Sequence, residues 1–387
     1  MTVDAGYDAL AARFRPLFAE IAEGESARER ERRPPHAQLR RLVDAGFAGL
    51  RVPAAHGGAD AALSHVIRLM SELAEADPNL AHVWRNHVSF VEDRRHDADD
   101  PRSAGWLRRL AAGEIVGGGW SEPATSGAPA LQTTIVERDG RWTLSGTKYY
   151  ATGSVYARWS TVLARDPSGE RVVALIPTDA AGVRIGDDWD GFGQRLTGSG
   201  SVTYDDVTVD PARVFAYAVR YPYQEQYYQS TLNALLVGIG RAVLRDGVAA
   251  LRARSRSHGH ALVADPRTDP ELLEVIGAVS ADVYGAEAAL LRSLALLDTV
   301  AEVPRASAAD LTTTWIATSA AQLVIGEAVL RAATTVFDAL GSSGTSATHA
   351  LDRHWRNART LLSHNPRVYK RRMLGDWHVS EADPARG

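Results

Sequence analysis

The sequence of 387 residues contains no cysteine. Disulfide bonds, thiolate metal sites and cysteine nucleophiles are therefore excluded together. An excess of charge of one sign is also missing, because 43 lysine and arginine residues stand against 47 aspartate and glutamate residues, and the formal net charge is -4. This balance gives no reason to expect a nucleic acid or an anionic membrane as a partner.

Long apolar runs are absent as well. No uninterrupted stretch reaches the roughly 20 residues that a membrane-spanning helix needs. The first six residues, MTVDAG, lack the basic and then apolar pattern of a signal peptide. With 45% hydrophobic and 23% charged residues, the chain can bury large cores in more than one structural unit. These features predict a cytoplasmic globular protein.

Two parts of the chain have helical periodicity. Up to about residue 115, apolar residues recur at helical spacing, as at Leu10, Phe14 and Leu17. After about residue 225, three long segments rich in alanine and leucine, 232–254, 271–300 and 308–340, are joined by short connections. Such segments predict an antiparallel helical bundle. Their wide apolar stripes also predict contacts with neighbouring subunits.

Between these parts, from about 116 to 215, the period changes to two. Residues 133–138 and 141–146 flank an Asp-Gly pair, which is typical of a β-hairpin with a tight turn. Residues 160–165 and 171–177 form a second such pair, and residues 202–209 add another strand. Several short strands with Gly and Asp turns predict an antiparallel β-barrel or sandwich.

Five short motifs carry a resemblance to a known family. They are AGFAGLRVP at 45–53, HGG at 56–58, EADPNLA at 75–81, GGGWSEP at 117–123 and KYYATG at 148–153. In this order they resemble the acyl-CoA dehydrogenase superfamily. The resemblance implies a mostly α, α+β fold with an N-terminal helical domain (1–115), a middle β domain (116–215) and a C-terminal four-helix bundle (216–387).

The residues that a dehydrogenase of this family uses are missing from their expected places. The family's G-S-D run, which helps to hold the CoA thioester, is replaced by SGA at 126–128. A dehydrogenase also needs a carboxylate base. Residues 357–366 contain no acid, and Asp246 is the only acid in the helix predicted at 232–256. We interpret these differences as a prediction against acyl-CoA dehydrogenation.

Two further motifs resemble the flavin-dependent monooxygenases of this superfamily, of the dibenzothiophene monooxygenase type. They are DWDGFGQRLTGSG at 188–200 and RNART followed by SHNP and YK at 356–370. The resemblance implies a two-component enzyme that receives FMNH2 from a separate flavin reductase. Such an enzyme forms a C4a-hydroperoxyflavin with O2 and oxygenates a small aromatic, organosulfur or nitrogenous compound. An FAD-dependent acyl-CoA dehydrogenase and a flavin-binding scaffold protein remain the alternatives.

The resemblance also implies the site residues. His364 and, second, His87 are the candidates that set the protonation of the bound oxygen species, because imidazole titrates near neutrality. Thr152 is expected near flavin N5. The residues expected to contact the flavin ring are Trp120, Ser121, Tyr150, Thr152 and Gly153. The residues expected to contact substrate are Trp189, Phe192 and His87, and no metal ligand is predicted.

A second set of residues is expected at the cofactor phosphate. The set consists of Arg254, Arg256, Gly341, Ser342 and Ser343, which offer cations and backbone N–H groups. At 254–259 the sequence RSRSHG departs from the R-x-x-F-G motif of FAD-binding relatives, so FMN is predicted and FAD is the alternative. Because those relatives complete each site with a second subunit, we expect a homotetramer.

Some residues have two interpretations that the sequence leaves open. Tyr217, Tyr221, Tyr223, Tyr227 and Tyr228 precede the bundle and either line the mouth of a site or pack between domains. Glu122 is interpreted as architectural. The glycine run at 117–119 is only weak support for a phosphate loop.

Overall fold

The computed structural model describes residues 4–122 and 131–382, and the SGA run at 126–128 lies outside the described residues. Within them the first part of the chain is helical. The helices are α1 (Ala5–Ala22), α2 (Glu25–Glu31), α3 (His36–Asp44), α4 (Leu63–Ala76), α5 (Pro78–His96) and α6 (Pro101–Ala111).

The start of α5 explains the EADPNLA motif. The Asp77 carboxylate accepts hydrogen bonds from the backbone N–H groups of Asn79 and Leu80, both at 3.1 Å, and Pro78 occupies the first turn. This is a side-chain N-cap followed by proline, a strong helix-start signal. Every residue of α5 from Pro78 to Arg94 is buried. The motif therefore fixes the register of a central helix that contacts several layers of the fold.

The middle of the chain forms one sheet. Its strands are β1 (Val116–Gly119), β2 (Thr134–Arg138), β3 (Arg141–Lys148), β4 (Trp159–Arg165), β5 (Arg171–Pro177), β6 (Val183–Ile185), β7 (Val202–Val209) and β8 (Val214–Ala216). The order is β6-β7-β3-β2-β4-β5-β8, with β1 beside β4. The predicted hairpin is present: Asp139 and Gly140 both have positive φ, 51° and 77°, as a tight turn of this kind requires.

The sheet differs from the prediction in two respects. It is mixed, because β1 and one residue pair of β2 run parallel to β4. The glycine run is a strand, and its lack of side chains allows close packing. A Cβ on Gly117 would lie 2.6 Å from the Ser154 Cα, and one on Gly118 would lie 2.4 Å from Asn86 Nδ2. Gly118 therefore lets α5 pack against the sheet, and the glycine run, which was only weak support for a phosphate loop, is a strand.

The remainder of the described chain is helical. The helices are α7 (Gln224–Ala253), α8 (Pro270–Ala301), α9 (Ala308–Leu340), α10 (Asp352–His364) and α11 (Arg367–Ser380). Buried apolar side chains of α4 and α5 form one continuous core with those of α7, α8 and α9. Gly238 permits the close approach of α7 to α4, since a Cβ there would lie 2.3 Å from the Ser71 carbonyl oxygen. Among the described helices, none is long and apolar enough to cross a membrane.

Candidate active site

A cavity of about 500 Å³ lies where the sheet, α5 and the bundle meet. On the sheet side it is lined by Gly118, Trp120, Ser121, Tyr150 and Thr152. Helix α5 contributes Arg85 and Asn86, and α7 and α9 contribute Glu225, Gln226, Tyr228, Gln229, Trp315, Thr318 and Ser319. The end of α10 and α11 close it with His364, Asn365, Pro366, Tyr369, Lys370 and Met373. The volume is within the range of small-molecule sites.

The sheet wall is held in shape by local hydrogen bonds. Trp120 Nε1 donates to Thr161 Oγ1 at 3.2 Å, and the Tyr149 backbone N–H donates to the Ser121 carbonyl at 2.9 Å. Tyr150 has a φ of 56°, an uncommon value for a residue with a side chain. Strained conformations of this kind occur where the surrounding structure holds a residue in a working position.

Thr152 connects the sheet wall to α5. Its carbonyl oxygen accepts a hydrogen bond from Asn86 Nδ2 at 3.0 Å, and its hydroxyl lies 2.8 Å from Ser199 Oγ. Gly153, with a φ of 82°, donates its N–H to the Thr197 carbonyl and does not line the cavity. Gly153 therefore shapes the turn behind Thr152, although the sequence predicted it as a direct cofactor contact.

An ion pair lies behind this wall. The Lys148 side chain is fully buried, and its Nζ is 2.8 Å from Glu122 Oε1. The Glu122 carboxylate also accepts hydrogen bonds from the backbone N–H groups of Gln132 and Thr133. Burial acts to raise the pKa of Glu122, but the bonds from Lys148 and from these N–H groups outweigh it and lower the pKa to about 2. Glu122 is therefore bound on all sides, which agrees with the architectural interpretation.

His364 faces the sheet wall from the other side of the cavity. Arg85 Nη1 lies 3.2 Å from His364 Nε2, and His364 Nδ1 lies 3.3 Å from Asn365 Oδ1. An arginine can only donate, so Nε2 accepts and Nδ1 carries the ring proton. Asn365 Nδ2 then donates to Gln229 Oε1 at 2.9 Å, and the Gln229 amide donates to Asn233. The donors form a chain in one direction, which fixes the imidazole tautomer.

His364 is neutral at ordinary pH. The residue lines the cavity and is exposed in the single chain. Shielding from bulk water, followed by the neighbouring Arg85 guanidinium, lowers its pKa to about 4. A neutral imidazole with one fixed donor and one fixed acceptor can hold or pass a proton without carrying a charge itself.

The second predicted histidine, His87, does not reach the cavity. Its side chain is completely buried, Nε2 is 2.8 Å from the Ala48 carbonyl oxygen, and the ring packs edge-on against Trp84. Burial lowers its pKa to about 4 in spite of the Ala48 bond. On a helix one residue corresponds to about 100° of rotation, so His87 points away from the face that carries Arg85 and Asn86. The predicted catalytic and substrate-binding roles of His87 are therefore wrong.

The sequence prediction missed His82, which lies one turn before Asn86. His82 Nδ1 lies 3.0 Å from Gln194 Oε1, and its Nε2 is buried with no partner among the described residues. Burial, then Arg85 and His364, lowers its pKa to about 3. Gln194 is in turn fixed by Asn357, whose Oδ1 accepts the Gln194 backbone N–H at 2.6 Å. The two monooxygenase-like motifs therefore contact each other and position His82 behind His364.

The aromatic residues of the 188–200 loop lie outside the cavity. Trp189 packs edge-on against Tyr150 with 5.9 Å between ring centroids, and its Nε1 donates to the Gly193 carbonyl. Phe192 is 53% exposed and stacks on Trp355 of α10. Neither residue lines the cavity, so the predicted substrate contacts are wrong. Trp189 instead packs against Tyr150 of the cavity wall, and Phe192 packs on α10.

The predicted phosphate residues lie away from the cavity. Arg254 Nη1 donates to the Ala339 carbonyl at 2.7 Å, which brings it next to the turn that begins at Gly341. Ser343 Oγ donates to the Leu340 carbonyl. Arg254, Arg256, Gly341, Ser342 and Ser343 do not line the cavity of their own chain. A phosphate role for them requires a cavity in a neighbouring subunit.

The cavity contains a carboxylate that the sequence prediction placed outside the bundle helices. Helix α7 begins at Gln224 and not at 232, so Glu225 lies in its first turn and lines the cavity. Its Oε2 accepts a hydrogen bond from Trp315 Nε1 at 3.0 Å. Asp246, by contrast, is bound to Arg353 and His354. The cavity therefore contains a carboxylate that lies outside the two stretches in which the sequence showed no suitable base, although Glu225 is bound to the cavity wall.

The tyrosine-rich segment has mainly a packing role. The hydroxyls of Tyr223 and Tyr227 bind Glu92 Oε2 and the Arg85 carbonyl, and Tyr221 lies against Ser89. These three side chains are buried. Tyr228 alone of the five lines the cavity. Of the two interpretations left open by the sequence, domain packing holds for most of the segment.

The helix, sheet and helix order, with a cavity where the three meet, defines the class of protein. Family models of acyl-CoA dehydrogenases match residues 8–114 (N-terminal domain), 118–207 (middle domain) and 230–366 (C-terminal domain). The chain belongs to the acyl-CoA dehydrogenase family. The predicted fold class is therefore confirmed.

Three relatives specify the branch of this family. A protein of Pseudomonas putida named "Probable FMNH2-dependent monooxygenase SfnC" is 25% identical and covers 96% of this chain and 95% of its own. Dibenzothiophene monooxygenase of Rhodococcus qingshengii is 27% identical and covers 89% and 87%. The structure of FMN-bound TdsC from Paenibacillus sp. A11-2 superposes with a TM-score of 0.89 at 26% identity, covering 97% and 99%. The identification with the flavin-dependent monooxygenase branch is confirmed.

Proposed function

We propose that the protein is an FMNH2-dependent monooxygenase that transfers one oxygen atom from O2 to a small aromatic, organosulfur or nitrogenous compound. The observation that supports the proposal is the cavity, which Trp120, Thr152 and the tautomer-fixed His364 line together. The relatives named above as monooxygenases match nearly the whole chain. The second oxygen atom leaves as water.

The residues of the cavity fit the flavin ring of FMN. Trp120 and Tyr150 offer aromatic surfaces, and Gly118 lines the wall without a side chain. Ser121, Thr152 and Asn86 offer polar groups for the ring edge. When bound, reduced FMN supplies the two electrons that activate O2.

The protein's own residues then have distinct tasks. Thr152 and Asn86, bonded to each other, hold the edge of the sheet wall in place. The rings of Trp120, Tyr228 and Trp315 give the cavity apolar walls, which would exclude water from the ring of a bound flavin. His364 holds a proton at Nδ1 while Arg85 keeps Nε2 in position. The proton at Nδ1 is bonded to Asn365, and it becomes available to the reacting oxygen, in place of a proton from solvent, when that bond opens.

The dehydrogenase alternative has less support. Among the described residues that line the cavity, Glu225 is the only carboxylate, and its Oε2 is bonded to Trp315. The two relatives named above both carry the names of monooxygenases. We therefore assign Glu225 a role in holding the cavity wall, and not that of a base for acyl-CoA.

The electron donor is a separate protein in this proposal. The sequence contains no dinucleotide-binding fingerprint, and SfnC is named for its dependence on FMNH2. A flavin reductase that releases FMNH2 fits both observations. The test is product analysis of organic sulfides and nitrogen heterocycles incubated with the protein, FMN, NADH and a generic flavin reductase under ¹⁸O2. Incorporation of one labelled atom supports the proposal, whereas reduction of the bound flavin by acyl-CoA would favour the dehydrogenase.

Cofactor preference gives a first prediction. Reduced FMN is expected to bind at least about tenfold more tightly than oxidised FMN, because the protein must take reduced flavin from a diffusing donor and release the oxidised form. Anaerobic spectroscopic titration and fluorescence titration measure the two constants. FAD serves as the control ligand. Sub-micromolar FAD that remains bound through purification would contradict the assignment of FMN.

We also propose that the protein is a homotetramer built as a dimer of dimers. Helix α8 carries an exposed stripe of apolar and small residues at helical spacing: Leu273, Gly277, Ala281, Tyr284, Ala288 and Ala295. Tyr284 is 75% exposed and Leu273 is 50% exposed in the single chain. A continuous stripe of this kind is typical of a surface that another subunit covers. A neighbouring subunit is also what Arg254 and Gly341 need in order to reach a cavity.

The oligomer gives a second prediction. Tyr284→Arg, in the centre of the stripe, is expected to dissociate the tetramer and to weaken FMN binding, because a guanidinium replaces an interface ring. Glu137→Arg on the exposed face of β2 is the control and should leave both unchanged. Light scattering gives the mass, expected at four times the 41.7 kDa of one chain. A stable monomer that still binds FMN would refute both the oligomer and the shared phosphate site.

A further inference from the structure

Arg85 is a buried cation on the wall of the cavity. Only 8% of its surface is exposed. Nη1 contacts the neutral His364 ring, Nε is buried with no partner among the described residues, and the guanidinium lies 4.5 Å from the centre of the Tyr228 ring. Within the described chain, the guanidinium of Arg85 therefore contacts only uncharged groups.

The other buried arginines of the described chain are all paired. Six arginines are buried, and five of them have a carboxylate within 4 Å: Arg28 with Asp77, Arg51 with Glu92, Arg94 with Asp97, Arg220 with Asp93 and Arg353 with Glu25. Arg85 alone has none among the described residues. A buried charge without a counter-charge is costly, and proteins keep one where a ligand supplies the missing charge.

The groups around Arg85 add no negative charge. His364 and His82 are both held neutral, with pKa values lowered to about 4 and about 3. Lys370 is a second cation on the cavity wall, over the Trp315 ring at 4.0 Å. Burial lowers the pKa of Lys370, and Glu225 opposes this effect. Among the described residues that line the cavity, Arg85 and Lys370 are the cations and Glu225 is the carboxylate, so one positive charge is in excess.

We propose that Arg85 binds an oxyanion of the substrate, so that the compound oxygenated in this cavity is a small organic acid such as a carboxylate, sulfinate or sulfonate. This inference rests on the monooxygenase function proposed above and specifies its substrate class. A planar guanidinium forms paired hydrogen bonds with such groups, and these bonds strengthen in a site that excludes water. Because Arg85 also orients His364, the bound oxyanion lies beside the group that handles the proton.

Two matched ligands test the proposal. Benzenesulfinate carries the oxyanion, and methyl phenyl sulfoxide is a neutral compound of similar size. Calorimetric titration of the FMN-loaded protein is expected to show the anion binding at least tenfold more tightly. Arg85→Gln should reduce the affinity for benzenesulfinate by about 10- to 100-fold, as expected for the loss of a charged hydrogen bond, and leave that for the sulfoxide within about threefold. Arg85→Lys should retain part of the preference.

Lys370→Gln is the control, because it also removes one positive charge from the cavity. The charge of Lys370 is already offset by the Glu225 carboxylate. We expect it to change benzenesulfinate affinity by less than about threefold. If Lys370→Gln and Arg85→Gln lost the same affinity for benzenesulfinate, the anion would be attracted by the overall positive charge of the cavity and not bound by Arg85, and the proposal would be overturned. An equal loss of FMN affinity in Arg85→Gln would assign the arginine to the cofactor phosphate and would also overturn it.

Thermal unfolding of the protein without flavin provides an independent readout. Arg85→Gln removes an unpaired buried charge, so its Tm should not fall below that of the wild type. Benzenesulfinate should raise the Tm of the wild type and not that of Arg85→Gln. Oxygenation of neutral compounds with no preference for anions would refute this inference and leave the monooxygenase in place. Anion binding through Arg85 without oxygen transfer to any compound would refute the monooxygenase and leave the anion site.

Discussion

His364→Ala is expected to lower the yield of oxygenated product per reduced flavin by about 10²-fold or more, which is the lower end of the contribution of a positioned acid or base. Hydrogen peroxide should account for the lost flavin equivalents. The physical reason is that His364 is the cavity residue that presents a fixed Nδ1 proton and a fixed Nε2 acceptor. Single-turnover assays that quantify product and peroxide together measure the effect.

His87→Ala is the matched control for this experiment. His87 is completely buried and bonded to the Ala48 carbonyl, outside the cavity. Its replacement should reduce stability by about 1–3 kcal/mol through a lost hydrogen bond and an unfilled volume. The ratio of product to peroxide should not change. An unchanged product yield in His364→Ala, with flavin still bound, would mean that His364 has only a structural role.

The lowered pKa of His364 predicts how the ratio of oxygenated product to hydrogen peroxide depends on pH. With a pKa of about 4 the imidazole is neutral throughout the range from pH 8 to about pH 5. The wild-type ratio of product to peroxide should therefore be constant over that range and change only as the pH approaches 4. A break near pH 6.5, the ordinary value for histidine, would contradict the proposed environment of His364.

The second large effect is expected at the ion pair behind the sheet wall. Glu122→Ala should lower the free energy of unfolding by about 3–5 kcal/mol, because it leaves the Lys148 ammonium buried without a counter-charge. Lys148 is fully buried and bonded to Glu122 at 2.8 Å. The variant also loses the acceptor for two backbone N–H groups. Urea unfolding followed by tryptophan fluorescence measures the change.

Asp205→Ala is the control, because Asp205 pairs with Arg184 at 3.3 Å in the same sheet and both side chains are largely exposed. An exposed pair of this kind contributes about 0–1 kcal/mol. Glu122→Gln combined with Lys148→Met should recover part of the stability lost in Glu122→Ala, since it leaves no unpaired charge. Equal stability of Glu122→Ala and Asp205→Ala would show that the buried pair is not stabilising.

The Glu122–Lys148 pair also predicts how the free energy of unfolding changes at low pH. The pKa of Glu122 is about 2 in the folded protein, below the ordinary glutamate value of 4.5. The unfolded state therefore binds more protons between these values, and the contribution of Glu122 is complete above about pH 4.5 and lost as the pH falls towards 2. Glu122→Gln should lack this part of the acid dependence.

Much of the fold could be predicted because its signals are local. The Asp139–Gly140 turn, the strands on either side of it and the three long bundle helices lie where turn chemistry and periodicity placed them. The start of α7 was missed. The tyrosine-rich segment obscures the apolar period, although its last two members, Tyr227 and Tyr228, belong to α7, where the Tyr227 hydroxyl bonds to the Arg85 carbonyl of α5. That error concealed Glu225.

The candidate site was predicted only in part. Trp120, Ser121, Tyr150, Thr152 and His364 line one cavity, although they come from the sheet and from the end of α10. Arg85 and His82 carry no motif that marks them. The signal that identifies Arg85 is a missing partner, and a missing partner can be recognised only when all neighbours are known.

The sequence by itself determined the family, because the order of its motifs along the chain needs no coordinates. It also determined the strand period, the hairpin turn and the cap of α5, since each depends on neighbours within a few residues. Only the tertiary structure decided which face of α5 meets the cavity. Arg85 and His87 are two residues apart, but one points to the cavity and the other to the core. That choice depends on how the sheet, α5 and the bundle pack together, and these contacts join residues more than 200 positions apart.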